Sequence, residues 1–578
     1  MAPIAEARAP RSDFLGFLAV ELAPREGRTL AVAHIVAGCV LTVVVAMVFR
    51  IPEPTYMAYI VFLISKDERA ATVTTGVGGL AAVTLAILLT IGLMLIDLSE
   101  PALRLPAMAL NTFVAMYTAR TFALGPITYL AGFVLVMLQS VVDDLPSPEA
   151  LTHVALWLWV VLFVPVGITA LVNLLFGQSV ALLTRRTVYK VLSELEAALL
   201  AGDMRRHLPH WRELVVPLLG KQPHDRGRPL ISVAALRRLL DTLVILETLP
   251  DQTGVEVREA LAEKVRACRA TLESRPPGVP VPEIPPPNRI LPGENTAPVL
   301  ALEAALRGFQ REIIEPAAPT AAAPHKRQLF TPDAFTNPEH WQFALKTTIA
   351  VMIVYFIYTM LDWPGLRTSI VTCFFVALGS LGETVHKLVL RISGALIGGL
   401  IAGLSIVFVL PHMTDIGQLS LLIAIVSAGA AWIATSSELL SYAGLQIAFA
   451  FFLGILQDYA PATDLTVLRD RIVGILLGNV VITIVFTVLW PVSATAPLRA
   501  ALSQAQQAIG AVLKRAGDPI AARAQTAQAL VRAHHFSLLR RFELSMLTQR
   551  TGEGAAVQEV ADVERTAGEA FVATYDIV

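Results

Sequence analysis

The chain has 578 residues, 55% of them hydrophobic and only 16% charged, with a mean hydropathy of +0.63. That balance belongs to an integral membrane protein and excludes an ordinary soluble domain. The formal net charge of −1 says little, because membrane proteins segregate charge by loop, and no basic tract interleaved with aromatics points to nucleic acid.

Residues 1–28 are polar and proline-punctuated. The apolar run that follows is too long for a signal-peptide core, so they are expected to form a retained cytosolic N-terminal segment. Apolar runs of near-spanning length occur at 29–49, 71–96, 102–119, 124–142 and 152–176, and a shorter one at 54–65 fits a tilted or partly re-entrant helix. Together they predict a first transmembrane bundle of six helices over 29–176. From 177 to 340 the pattern turns amphipathic, as in TRRTVYKVLSELEAALL at 184–200 and ISVAALRRLLDTLVILETL at 231–249. Apolar residues there recur at helical spacing with Arg and Glu between them, which predicts a cytosolic helical domain.

Within that domain, 276–298 is a proline-rich linker expected to be extended, and 315–324 is a second breakable stretch. Both read as spacers, with docking of a partner as the competing reading. A second set of apolar runs at 341–360, 365–379, 388–410, 417–435, 440–457 and 470–490 predicts a second six-helix bundle over 341–490. Residues 491–578 form an amphipathic helical tail.

The halves look like a repeat. Pro54 before YMAYIVFLIS matches Pro364 before LRTSIVTCFF. Each is followed by a charged elbow, Ser65 to Arg69 against Gly382 to Lys387, and then by a helix bearing Gly76, Gly78 and Gly79 against Gly394, Gly398 and Gly399. An even number of spans per half makes the repeats parallel. Lys and Arg gather on one side of the spans (Arg28, Lys66, Arg69, Arg120, Arg185, Lys387, Arg499) and acids on the other (Glu53, Glu100, Asp144, Asp362, Asp415, Asp464). The positive-inside rule then puts both elbows, both soluble modules and both termini in the cytosol. The fold class expected is an all-α integral membrane protein, two parallel six-helix transmembrane repeats with cytosolic helical domains.

Enzyme signatures are absent. There is no phosphate loop, no H-E-x-x-H and no G-x-S-x-G, so no catalytic residue, cofactor or metal is expected. Three cysteines, Cys39, Cys268 and Cys373, and scattered histidines form no disulfide framework or metal site.

The charged elbow of the second half is the candidate for function. A helix through it puts Glu383, Lys387 and Arg391 on one face, four residues apart. Charges at the mouth of an apolar helix are costly unless paired or wetted. Two cations there can gather an anionic substrate at the cytosolic mouth, with Glu383 poising them; the competing reading is a self-satisfied salt-bridge cluster that fixes topology.

Lys66 and Arg69 of the first elbow are further translocation candidates, although that elbow is internally neutralised and reads more simply as a solvated turn. Arg471 beside Asp470 is an interfacial ion pair or an exit-side anion contact. Among buried polar singles (His34, Asn111, Gln139, Gln446, Asn479) His34 is a proton-relay candidate, against the plainer role of interhelical hydrogen bonding. Gly394, Gly398, Gly399, Gly403, Gly474 and Gly478 are packing or hinge positions.

Pro364, Thr368-Ser369, Thr372, the Gly382-Glu383-Thr384 elbow, Lys387, Arg391, Gly394 and Gly398, with Asp470-Arg471, Gly474 and Gly478 further on, resemble the pattern of the fusaric-acid-resistance, or aromatic acid exporter, family. The resemblance implies a bacterial inner-membrane efflux transporter of small amphipathic or aromatic, anionic compounds, extending to multidrug resistance and driven by the proton gradient. It also implies lipid contact, a periplasmic adaptor with an outer-membrane channel, and a homodimer. Two other readings stay open: a passive organic-anion channel, and a non-transport envelope protein whose soluble helices form an interaction platform.

Overall fold

The computed structural model describes residues 21–24, 27–66, 68–94, 100–145, 147–220, 231–250, 253–273, 296–314, 329–376, 381–437, 439–457, 459, 464–491, 495–515, 518–539 and 553–575. Most of the proline-rich linker at 276–298 and all of 315–324 lie outside the described residues, as do 1–20. Among the described residues the protein is all-α, with one isolated bridge between Phe122 and Phe330.

The helices of the first apolar half are α1 Arg28–Phe49, α2 Pro54–Ile64, α3 Arg69–Met94, α4 Pro101–Thr121, α5 Gly125–Ser140 and α6 Pro148–Phe176. Five more follow: α7 Val180–Ala201, α8 Leu208–Val215, α9 Val233–Ile245, α10 Val255–Glu273 and α11 Thr296–Ile314. The second apolar half holds α12 Pro338–Met360, α13 Thr368–Val376, α14 Leu381–Leu404, α15 Ile416–Ala434, α16 Ser441–Ile455 and α17 Thr466–Val488, and the chain ends in α18 Thr495–Leu513, α19 Pro519–Leu539 and α20 Glu553–Thr574.

Local chemistry sets many of the starts. Proline opens α2, α4, α6 and α12, where its missing N–H costs nothing. Ser147, Asn337 and Asp415 accept hydrogen bonds from backbone N–H groups of the first turns of α6, α12 and α15.

The chain divides into two compact units. The first holds α1–α6 and α12–α17. Among the described residues seven of its helical segments are long and apolar enough to cross a membrane: Arg28–Phe49, Arg69–Leu93, Glu149–Phe176, Pro338–Met360, Gly382–His412, Ile416–Ala434 and Thr466–Val488. The fifth of these is α14 prolonged through a π turn at Ser405–Val409 and a 3-10 turn at Leu410–His412. They turn large apolar side chains outward, among them Phe49, Leu88, Phe176, Leu400, Ile425 and Val488. A face of that kind is stable against lipid and costly against water.

The second and fifth helices of each half differ. α2, α5, α13 and α16 have 11, 16, 9 and 15 residues. At 1.5 Å per residue each is shorter than the roughly 30 Å hydrocarbon core. These short helices are also the most enclosed; in α16 twelve residues are buried, including Phe449, Phe451 and Phe452.

The halves interlock crosswise. The first helix of each half packs on the fourth of the other (α1 on α15, α12 on α4), and the second of each half packs on the fifth of the other (α2 on α16, α13 on α5). At the start of α2, Thr55 donates to the carbonyls of Phe452 and Leu456 at the end of α16, at 3.1 and 2.7 Å. The counterpart contact is an ion pair between Arg367, just before α13, and Asp144, just after α5.

The second unit holds α7–α11 and α18–α20 around a core that includes Trp211, Phe309 and Phe571. Buried charges tie its middle segment to its C-terminal helix. Arg212 donates to Glu564 at 2.8 Å, to Glu247 at 3.0 Å and to the Leu243 carbonyl at 3.0 Å. Arg238 donates to the Tyr575 hydroxyl, which donates to Asp241, and Arg523 lies 3.6 Å from the same carboxylate. Burial pushes Asp241 up to about 6, against the attraction of Arg523 and Arg238.

Candidate functional site

Arg391 is the centre of the candidate site. It is 1% exposed and lies about 15 Å along α14 from its start, well inside the apolar unit. The elbow residues are already helical, α14 beginning at Leu381. Arg391 therefore sits deep along the helix, where the sequence had placed the cation pair at the mouth.

Close helix packing sets its surroundings. A Cβ on Gly394 would stand 2.7 Å from the Ala443 carbonyl and from Gln446 Cβ, and one on Gly398 would run into the Ile447 carbonyl. α14 and α16 thus touch backbone to backbone, which glycine alone permits here. On the other side, Gly399 faces Ile472 and Leu468, and Ala395 packs with Ile475 of α17. One further turn of that antiparallel register brings Arg391 to the level of Asn479.

The approach of α16 supplies the partner of Arg391. Nη1 donates to the Tyr442 hydroxyl at 2.9 Å, while the Lys387 ammonium stands 4.9 Å from the centre of the Tyr442 ring. Nε and Nη2 of Arg391 are buried without a hydrogen-bond partner. The same is true of both amide atoms of Gln446, both of Asn479 and the hydroxyl of Ser369 on α13. The Tyr59 hydroxyl lies toward Gln446 at a geometry short of a hydrogen bond. Tyr59 on α2, Tyr129 on α5 and Cys373 on α13 all lie within the field of the guanidinium. All four short helices therefore reach this polar layer.

Rings flank it on both sides. Tyr59 stacks at 4.3 Å on Phe449, and Tyr129 and Phe133 meet Phe374 and Phe375 at 5.2–6.2 Å. A planar, weakly hydrated cation set among rings and unspent N–H donors suits a carboxylate attached to an apolar or aromatic body.

The other predicted residues are placed differently. Glu383 opens α14 half-buried. Lys66 and Arg69 are exposed, on a turn closed by Thr72, whose hydroxyl accepts from the Lys66 N–H and donates to the Glu68 carbonyl. Arg471 donates to Thr368 at 2.8 Å, near the start of α13.

His34 is half-buried on α1, its Nε2 enclosed without a partner. Asn111 donates to Gln139 at 3.2 Å, a hydrogen bond between α4 and α5. A Cβ on Gly478 would press on Thr372 Cβ and the Ser369 carbonyl at 2.6 and 2.7 Å, and one on Gly474 would meet the Leu366 carbonyl at 3.1 Å. Gly403 has room, its nearest neighbour being Leu468 at 4.0 Å. Among the described residues no group of His, Cys, Asp and Glu is arranged to hold a metal. Tyr442 is not among the residues singled out from the sequence; its position one turn before Gln446 is the signal that it shares a face with the polar layer.

Together these features define a multi-pass α-helical membrane protein with a buried cationic centre. Residues 337–485, which carry that centre, match the family model described as fusaric acid resistance protein-like, so the resemblance read from the sequence is borne out over this region. The chain is similar to multidrug resistance protein MdtO of Escherichia coli K12, 28% identical over 512 residues, covering 84% of this chain and 72% of that protein. It is similar also to MdtO of E. coli O6:H1, 27% identical over 529 residues (87% and 76% covered), and to MdtO of Shigella flexneri, 26% identical over 538 residues (87% and 75%). No solved structure matches the chain.

Proposed function

We propose that this protein is an inner-membrane efflux carrier for small amphipathic or aromatic anions, with Arg391 as the contact for the substrate's carboxylate. The carrying observation is the burial of Arg391 with one neutral partner and two unspent donor nitrogens. An ionisable residue inside an apolar helix bundle is costly and by default marks a substrate or ion path. Lys387 on the same helix face leads toward Arg391, and the rings of α2, α5, α13 and α16 accept the apolar body.

The halves act as parallel six-helix repeats with cytosolic termini. Two features support this: the crosswise packing, and the recurrence of the short second and fifth helices. Transport rather than catalysis, and export of more than one compound, are supported by the similarity to proteins named for multidrug resistance. The proton gradient supplies the energy. His34 is the relay candidate for that coupling, and Lys66, Arg69, Arg471 and Glu383 are peripheral charges of the path. An adaptor with an outer-membrane channel, and a homodimer, complete the assembly that the family resemblance implies.

The test is accumulation of a radiolabelled aromatic carboxylic acid in cells carrying wild type, a deletion or Arg391→Ala, with and without a protonophore. Protonophore-sensitive exclusion lost in the deletion and in an Arg391→Ala protein inserted at wild-type level is the expected result. Exclusion that survives Arg391→Ala unchanged removes Arg391 from the path. A current that reverses with the anion gradient identifies a channel instead.

A further inference from the structure

The charge on Arg391 has to be balanced whether or not an organic substrate is present. A guanidinium does not give up its proton in a protein, so it has no neutral form to retreat to. Its neighbours (Tyr442, Tyr59, Tyr129, Cys373, Gln446 and Asn479) carry no negative charge at ordinary pH. Among the described residues no Asp or Glu pairs with it, in contrast to Arg212 and Arg523 of the second unit, each of which meets carboxylates. Removing one member of a buried pair is strongly destabilising because it leaves such a charge alone.

The unspent groups around it point the same way. Arg391 Nε and Nη2 are able to donate and are buried without a partner among the described residues, and the amides of Gln446 and Asn479 and the Ser369 hydroxyl are likewise unspent, the amides at both ends. An amide can turn either end to a bound ion, so the fixed guanidinium charge decides the sign, and the layer binds an anion and repels a cation. One unpaired guanidinium matches one negative charge, and a fully enclosed side chain favours a small, easily dehydrated ion.

We infer that Arg391 holds a small monovalent inorganic anion, of the halide or nitrate class, whenever organic substrate is absent, and that the substrate's carboxylate displaces it. The displacement clause rests on Arg391 being the substrate contact proposed above; the resident anion does not. Export is then an exchange at one site, and the carrier does not return with a bare buried cation.

The experiment uses the purified full chain in lipid nanodiscs, exchanged into sodium gluconate. Its thermal unfolding midpoint is followed by tryptophan fluorescence while chloride, bromide, nitrate or sulfate replaces gluconate at constant ionic strength. The expected result is a saturable rise with the three monovalent ions and none with sulfate, abolished in Arg391→Met. Benzoate should raise the half-saturating chloride concentration in proportion to its own concentration. Asn479→Leu, which removes one donor and keeps the cation, should raise that concentration severalfold, and it carries the test if Arg391→Met does not fold.

A midpoint indifferent to halide, in a protein whose Arg391→Ala variant has lost export, overturns the resident anion and leaves the carrier reading standing. A halide effect lost in Arg391→Met but untouched by benzoate overturns displacement and takes the substrate contact with it. A halide effect that Arg391→Met retains overturns the assignment of the site.

Discussion

Replacing Tyr442 by Phe tests the polar layer at its one completed bond. The ring stays, and with it the cation–π contact of Lys387 at 4.9 Å, so the change isolates the hydroxyl that accepts from Arg391 at 2.9 Å. A hydrogen bond to a charged group contributes about 1.5–3 kcal/mol. If that bond fixes the guanidinium for the substrate, its loss weakens organic-anion binding roughly 10- to 100-fold, at about 1.4 kcal/mol per tenfold. The assay is concentration-dependent uptake of a labelled aromatic acid into inverted membrane vesicles, with protein level measured in the same preparation. The expected outcome is a raised KM, with the maximal rate changed less. An unchanged KM and an unchanged unfolding midpoint would together refute the reasoning, since a buried guanidinium cannot lose the one hydrogen-bond partner it has among the described residues without consequence unless another group replaces it.

Three further predictions concern packing and charge. Gly398→Ala, whose Cβ meets the Ile447 carbonyl, should cost about 1–3 kcal/mol by overpacking, whereas Gly403→Ala should be neutral or stabilise by up to about 1 kcal/mol through helix propensity; thermal melting of the two proteins in one detergent compares them. Arg212→Met strands Glu247 and Glu564 and should destabilise the helical unit by about 3–5 kcal/mol, read as a lower thermal unfolding midpoint. Asp241 sets a pH dependence. Its folded pKa of about 6 exceeds the ordinary carboxylate value, so the folded chain holds a proton that the unfolded chain releases. Stability should therefore rise as pH falls from 7 toward 4, by up to about 3 kcal/mol, and Asp241→Asn should flatten that part of the profile of the unfolding midpoint against pH.

Much of this was legible in the sequence, and the parts that were not share a physical cause. Hydropathy located the apolar segments, because burial in lipid demands long apolar runs whatever their neighbours. The apolar run at 388–410 starts late because Glu383, Lys387 and Arg391 lower the local average, while the helix that the elbow's spacing predicts runs through them from Leu381. Backbone hydrogen bonding, which is indifferent to side-chain polarity, carries it through the charges; hydropathy does not show how deeply Arg391 is buried. Residues 124–142 and 440–457 looked nearly long enough to span, yet α5 and α16 end at Ser140 and Ile455. Periodicity cannot tell a short helix enclosed by others from a lipid-facing one, since both are apolar all round. Tyr442 was hidden because its role depends on the approach of α16 to Gly394, a tertiary fact.

The crosswise interlock bears on one place where the halves differ. Because the second helix of each half lies on the fifth of the other, the four short helices share one interior. A charge contributed by either half is therefore felt by both. Arg391 of the second half acts on Tyr59 and Tyr129 of the first. A strictly duplicated chain would bring a second arginine into the same low-dielectric space, where two like charges repel strongly. Three residues before Gly76, where the second half has Arg391 ahead of Gly394, the first half has Val73. One centre with one charge is served by a single arginine, and the first half supplies none at this position. Lys66 and Arg69 of the first elbow are exposed instead.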